Sequence, residues 1–224
     1  MAIILQIETT TTNCSVAVSK NGTTVTLKEN HEDKYTHAEN LHLYIEEALQ
    51  NASFSLQDID AIAVSKGPGS YTGLRIGVSA AKGLCFALDK PLISVSTLES
   101  LGRQLTIEEG FLAPMLDARR MEVYTLLADA NYQIIKPVWA EVVNENSFQE
   151  ELTKTKVHFL GNGAPKCKEV ITSANAVFHD TILLPSANEM SQIAYQKFKK
   201  GNFEDVAYFE PFYLKPFMGT KPKK

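Results

Sequence analysis

Apolar and polar positions along the chain follow two rhythms, a strict alternation and a three-to-four-residue recurrence, and their order predicts the elements. Residues 3–7 are a short apolar run, as in a buried strand, and 8–13 are polar and threonine-rich, as in a turn. Residues 14–19 alternate, with Cys14, Val16 and Val18 on one face, and 23–27 alternate again across the hairpin signal Lys20-Asn21-Gly22. Three antiparallel strands are expected. Thr36-His37-Ala38-Glu39 has the form of a capping box, with Thr36 as N-cap and Glu39 reaching back to it. The helix behind it, 36–50, carries Leu41, Tyr44, Ile45, Ala48 and Leu49 at helical spacing. Next come a strand at 61–65, a glycine loop, and a helix at 71–88 with Leu74, Val78, Ala81, Leu84, Cys85 and Leu88 on one stripe. A strand at 92–95 follows.

The second half repeats the plan. Residues 112–116 read as a strand, 117–120 as a polar turn, and 121–127 and 132–138 as strands joined at Asp129-Ala130-Asn131. A helix is expected near 148–152 and a strand at 157–160, after which Gly161-Asn162-Gly163 opens a helix through Lys166 and Val170. Strand, GxG, helix thus occurs twice, at Gly67/Gly69 and at Gly161/Gly163, each time after three meandering strands and a helix. The duplication lies in the order of elements, not in residue identity. Ser186-Ala187-Asn188-Glu189 is expected to cap a last helix with Met190, Ile193, Ala194 and Phe198 inward. Residues 204–224 are aromatic and proline-broken, a tail expected to lie on the surface.

Composition narrows the class. With 224 residues, 44% hydrophobic and 21% charged, the chain has the make-up of a soluble globular protein. A net charge of −4 argues against a stand-alone nucleic-acid binder, and Lys215, Lys221, Lys223 and Lys224 read as a solvated basic tail. Cys14, Cys85 and Cys167 are odd in number and widely spaced, which fits neither a disulfide framework nor a zinc site. Cys14 and Cys85 fall on apolar stripes and are expected in the core. No signal peptide or membrane span is expected, and the reducing cytoplasm is the expected location.

The most specific signal is Gly67-Pro68-Gly69-Ser70-Tyr71-Thr72-Gly73-Leu74-Arg75, between a strand and a helix. Such a loop points backbone N–H groups and a helix dipole at an anion, but it matches neither the GxxxxGK[ST] cradle nor the GxGxxG fingerprint. With Ile76-Gly77-Val78-Ser79-Ala80-Ala81-Lys82-Gly83 behind it, the run resembles the TsaB (YeaZ) family. These are catalytically degenerate paralogues of the tRNA threonylcarbamoyltransferase TsaD. Leu5-Gln6-Ile7-Glu8-Thr9-Thr10 with Cys14-Ser15-Val16-Ala17, Asp117-Ala118-Arg119 with Glu122-Val123-Tyr124, and Glu210-Pro211-Phe212-Tyr213-Leu214 support the resemblance, which spans the chain. It implies an α/β fold, the duplicated βββαβα two-lobed architecture of actin, sugar kinases and the Hsp70 ATPase. The expected lobes are 1–100, carrying the partner-binding helices, and 101–203, followed by the tail. In that fold the turns at 8–13 and 117–120 would hold ATP phosphates. Here Glu8, Thr9, Thr10, Asp117 and Arg119 read as a degenerate nucleotide cleft, with no intrinsic cofactor and ATP or ADP only within a complex with TsaD.

Catalytic chemistry is sparse. TsaD-type enzymes place two metal-binding histidines four apart on the helix after the first three strands. His37 and His42 are five apart, roughly 140° around a helix, and point away from each other. Glu39, His42 and Glu46 share a face but read as solvated charge, His31 and His158 lack companions, and His179 has only Asp180. No metal is expected. Ser70 and Thr72 have no histidine near them and no GxSxG frame, and Ser70 reads as a helix N-cap. Arg119 and Arg120 fit either contact with a phosphate or partner carboxylate, or a wet turn.

Gly73, Gly77 and Ala81 recur every four residues, leaving a flat helix edge for another helix or for the chain's own sheet. The resemblance implies that the first two helices pair with those of TsaD, or of a second copy. The expected contacts are His37, Leu41, Tyr44, Ile45 and Ala48, and Gly73, Arg75, Ile76, Gly77, Ser79, Lys82 and Phe86. On that reading Gly77→Arg, or Ala48→Glu if outward-facing, breaks the complex and spares the fold. The implied role is a non-catalytic subunit working with TsaD and the ATPase TsaE, homodimeric when alone, meeting tRNA only through the complex and no membrane. The alternatives are a stand-alone ATP-dependent phosphotransferase using Glu8 and Asp117, a glycoprotease-like enzyme, and a homodimer with a scaffold role of its own.

Overall fold

The computed structural model describes residues 1–31 and 36–215. Its frame is two five-stranded mixed sheets. The first contains β1 (Ile3–Glu8), β2 (Asn13–Lys20), β3 (Thr23–His31), β4 (Ala61–Gly67) and β5 (Leu92–Ser96), in the order β3-β2-β1-β4-β5. The second contains β6 (Phe111–Asp117), β7 (Glu122–Asp129), β8 (Ile134–Val142), β9 (Val157–Leu160) and β10 (Ala176–His179), in the order β10-β9-β6-β7-β8. In each, the first three strands meander antiparallel, the fourth joins the first in parallel, and the fifth joins the fourth in parallel. The duplication read from the order of elements is therefore a duplication of sheet topology.

Among the described residues five α-helices complete the frame: α1 (His37–Asn51), α2 (Tyr71–Leu88), α3 (Thr97–Gly102), α4 (Gln149–Leu152) and α5 (Met190–Lys199). Parallel strands need cover on both faces, so β1 and β4 are apolar runs rather than alternating ones. Leu5, Ile7, Val16, Val18, Ile62 and Val64 pack beneath Leu41, Ile45 and Ala48 of α1 and Val78, Ala81 and Cys85 of α2. Ile4, Ala17, Ala61, Ala63, Ile93 and Val95 face the other way, against Met190, Ile193 and Ala194 of α5. Cys14, Cys85 and Cys167 are all buried free thiols.

Several sequence expectations need correction. Thr36 has φ −109° and ψ 16°, not the extended geometry of an N-cap, and its hydroxyl accepts from Asn40 Nδ2 at 3.0 Å, so the capping box with Glu39 does not form. The helix expected after Gly161-Asn162-Gly163 is one 3-10 turn, Pro165–Cys167. The poor helix formers Val170-Ile171-Thr172-Ser173 end it. Ser186 does not cap α5. Its hydroxyl donates to Glu29 Oε2 at 2.7 Å, and Glu189 is the N-cap. A boundary at 203 assigns α5 to the second lobe, yet α5 packs on β1 and β5 of the first sheet.

The tail is bound where it is described. Glu204 N–H donates to Leu92 O at 2.8 Å and Phe212 N–H to Lys66 O at 2.7 Å. Val206 and Phe209 pack against the α1–α2 core. The remaining part, 216–224, and the segment 32–35 lie outside the described residues.

Candidate functional site at the two N-terminal helices

The glycine loop exists to let two backbones meet. A Cβ at Gly69 would lie 2.5 Å from Thr10 Cβ, one at Gly73 2.0 Å from Thr9 O, and one at Gly77 2.2 Å from Thr9 Oγ1. Each is closer than a side chain tolerates, so α2 presses directly on the β1–β2 turn. Hydrogen bonds fix the contact. Ser70 N–H donates to Thr10 O at 2.7 Å, and Thr9 Oγ1 donates to Gly73 O at 2.8 Å. Ser70 is the N-cap of α2, accepting from Gly73 N at 3.3 Å, as its position predicts. The same turn holds α1, because the His37 ring donates from Nε2 to Thr11 O at 2.7 Å.

These bonds decide what the turn can hold. Thr10 N–H and Thr10 Oγ1 both donate to Glu8 Oε1, so donors that would meet a phosphate already meet a carboxylate. Glu8, Thr9 and Thr10 are buried, not lining an open cleft. Burial pushes the Glu8 carboxyl up to about 7 against the pull of the Thr10 bonds. This turn does not fit a nucleotide phosphate. In the second lobe, Asp117 accepts from Arg119 N at 2.9 Å and from the Lys166 ammonium, which also caps Arg120 O at 2.7 Å and Glu122 O at 2.6 Å. Arg119 and Arg120, both at positive φ, are exposed on that hairpin. Grooves of about 480 Å³ beside Trp139 and about 460 Å³ beside Glu189 are lined by none of the five cleft residues.

Burial sorts the expected partner contacts. His37, Leu41, Ile45 and Ala48 are inside, held by the turn or the core, and are not surface. Gly73 and Gly77 face Thr9, so the flat helix edge serves the chain's own first turn. Tyr44 and Ile76 are half-buried against the same core. Lys82 is tied to the tail, donating to Ala207 O at 3.1 Å and Phe209 O at 3.0 Å. Arg75, Ser79 and Phe86 are exposed, Phe86 to 87%. Leu43, which sequence reasoning passed over, is 55% exposed on α1. Its signal was available: it stands two residues from Leu41, about 200° around the helix from the buried stripe.

The histidines are rearranged relative to expectation. His42, with Glu39 and Glu46, lies on the outer side of α1, away from buried His37. His158 does have a companion: parallel pairing of β9 and β10 brings His158 Nδ1 within 3.0 Å of His179 Nε2. Burial, and for His158 also its neighbour's charge, lowers both imidazoles below their ordinary pKa. Among the described residues no three His, Cys, Asp or Glu side chains cluster as metal ligands. No helix among them is long and apolar enough to cross a membrane.

Two mixed sheets of one topology, with helices on both faces of the first, define an actin-like ATPase fold whose first phosphate turn is closed by its own side chains. The family model described as "TsaD: tRNA N6-adenosine threonylcarbamoyltransferase" matches residues 31–216. The tRNA threonylcarbamoyladenosine biosynthesis protein TsaB of Escherichia coli K12 is 32% identical over 223 residues, 95% of this chain and 94% of that one. The TsaB protein of Bacillus subtilis 168 is 34% identical over 180 residues, 75% and 74% of the two chains. The solved structure of YeaZ from Pseudomonas aeruginosa superposes with a TM-score of 0.84 at 26% identity, covering 96% of this chain and 100% of that one. The chain belongs to the TsaB (YeaZ) family.

Proposed function

We propose that the chain is a non-catalytic subunit that binds and activates a TsaD-type threonylcarbamoyltransferase, through the outer side of α1 and α2. The observation that carries this reading is the exposure of Phe86 and Leu43 on two helices that cover one face of the first sheet. Large apolar side chains left in water on neighbouring helices are what a helix-to-helix interface buries. Arg75 and Ser79 on α2, and Glu39, His42 and Glu46 on α1, supply the polar rim. The catalytic work falls to the partner, because the two carboxylates a phosphotransferase would use are engaged: Glu8 is buried on Thr10 and Asp117 is paired with Lys166. TsaE joins the assembly, nucleotide enters only with TsaD, and tRNA is met through the complex. The same surface forms a homodimer when TsaD is absent.

The rigid first turn gives the surface its shape. Thr9, Thr11, Gly73 and His37 lock the N-terminal ends of both helices to one loop, so α1 and α2 present a preformed face and little ordering entropy is lost on binding. The test is association of Phe86→Asp and Leu43→Asp chains with TsaD. Loss of binding by folded variants supports the face, and unchanged binding contradicts it.

A further inference from the structure

The tail reaches from one lobe to the other, and its two attachments differ in kind. On the first lobe the grip is broad. Glu204 N–H donates to Leu92 O at 2.8 Å, and the Glu204 carboxylate accepts from Ser94 Oγ at 2.5 Å, both on β5. Lys82 of α2 donates to Ala207 O and Phe209 O, and Val206 and Phe209 pack on the α1–α2 core. Phe212 N–H donates to Lys66 O at 2.7 Å, and the Tyr213 ring lies on that of Tyr71 with centroids 5.0 Å apart. Two residues on, the chain has crossed to the second lobe. There the Lys215 ammonium pairs with the Glu122 carboxylate and lies 6.0 Å from the centre of the Tyr124 ring. Lys215, expected in a solvated tail, is instead an attachment to β7. That ion pair stands partly in water, its side chains 39% and 20% exposed.

A partly exposed ion pair favours the joined state by no more than about fivefold, and salt weakens it further. The packed and hydrogen-bonded grip on the first lobe is firmer, so the tail releases first at Lys215. The lobes also have a fulcrum, because α3 packs on β4 and β5 of the first sheet and on β6 and β7 of the second. Two lobes of one chain rock about such a contact by default, and a second tie between them suppresses the motion. We infer that residues 204–215 are a strap that latches the second lobe to the first through Lys215 and Glu122, setting how far the lobes open about α3. The strap leaves the first lobe beside the glycine loop, which presses on Thr10, and lands on the residue that opens β7. It therefore holds the turns at 8–13 and 117–120 at one separation. The latch concerns the lobes of this chain and does not rest on the partner reading.

Spin labels on Asn51→Cys at the end of α1 and Glu145→Cys after β8, both exposed positions, read the lobe separation in the full chain. The chain's own three cysteines are buried and escape labelling. Pulsed dipolar spectroscopy at low salt should show one dominant distance. Lys215→Gln should raise the share of a second distance about twofold or more. Sodium chloride at about 1 M, where the screening length falls to about 3 Å, should do the same to the chain with Lys215 in place. The exchanged pair, Glu122→Lys with Lys215→Glu, should restore the single distance at low salt, which a role for Lys215 in packing alone would not. Identical distributions with and without Lys215→Gln and at both salt concentrations would overturn the latch. So would a Lys215→Gln change that the exchanged pair fails to reverse.

Discussion

At the scale of single residues, the glycines of α2 separate backbone necessity from ornament. Gly73 and Gly77 abut Thr9, whereas a Cβ at Gly83 would meet nothing within 4 Å. We expect Gly73→Ala to destabilise the chain by about 1–3 kcal/mol through overpacking. Gly83→Ala should be neutral or stabilising by up to about 1 kcal/mol, because it removes only backbone freedom. Denaturant midpoints at unchanged m-value measure both. Substitutions that sequence suggested as interface breakers change meaning in the structure. Gly77→Arg would drive a side chain into Thr9 Oγ1, and Ala48→Glu would bury a carboxylate in the α1–α2 core, so both should unfold the chain rather than merely free it from a partner.

At the scale of elements, the paired histidines link β9 and β10 to pH. Both imidazoles have lowered pKa values in the fold, so just below the ordinary value of about 6.5 the unfolded chain binds more protons than the folded one. Their contribution is therefore intact above that pH and lost as pH falls below it. Lys156 and Glu109 face His158, and Asp180 faces His179, partly offsetting one another. We expect the stability of the His179→Asn chain to fall less steeply below pH ~6.5 than that of the unmodified chain, as read by urea unfolding across that range.

Strands were legible because their periodicity is local. The three-strand meanders, the buried stripes of α1 and α2 and the Ser70 cap all follow from neighbouring residues. What could not be read depends on distant contact. The flat edge of α2 meets Thr9, 64 positions from Gly73, and His158 finds His179 only through strand pairing. The Ser96-Thr97-Leu98-Glu99 signature of α3 was present and overlooked, and β10 is four residues long, too short for alternation to show. Burial turned half of the expected partner contacts inward. That outcome follows from reading an apolar stripe, which marks the side facing the core, as the side facing a partner.

At the scale of the whole molecule, one surface carries the proposed role, and its disruption should leave the fold intact. Phe86 is 87% exposed, so Phe86→Asp should alter unfolding free energy by no more than about 0.5 kcal/mol. Loss of an apolar anchor at the centre of an interface typically costs about 2 kcal/mol or more of binding, some thirtyfold in affinity. Thermal unfolding of the free chain and association with the partner should therefore separate cleanly in this variant. A fall in both would instead mark Phe86 as a structural residue.

The central claim is partnership, and calorimetric titration of the purified chain with TsaD from the same organism, with and without ATP, measures it directly. We expect binding at micromolar or tighter affinity, weakened at least tenfold, or about 1.4 kcal/mol, by Phe86→Asp. Absence of binding, with TsaD fully active alone, would contradict the claim and return attention to Asp117 and Arg119 for an activity of the chain's own.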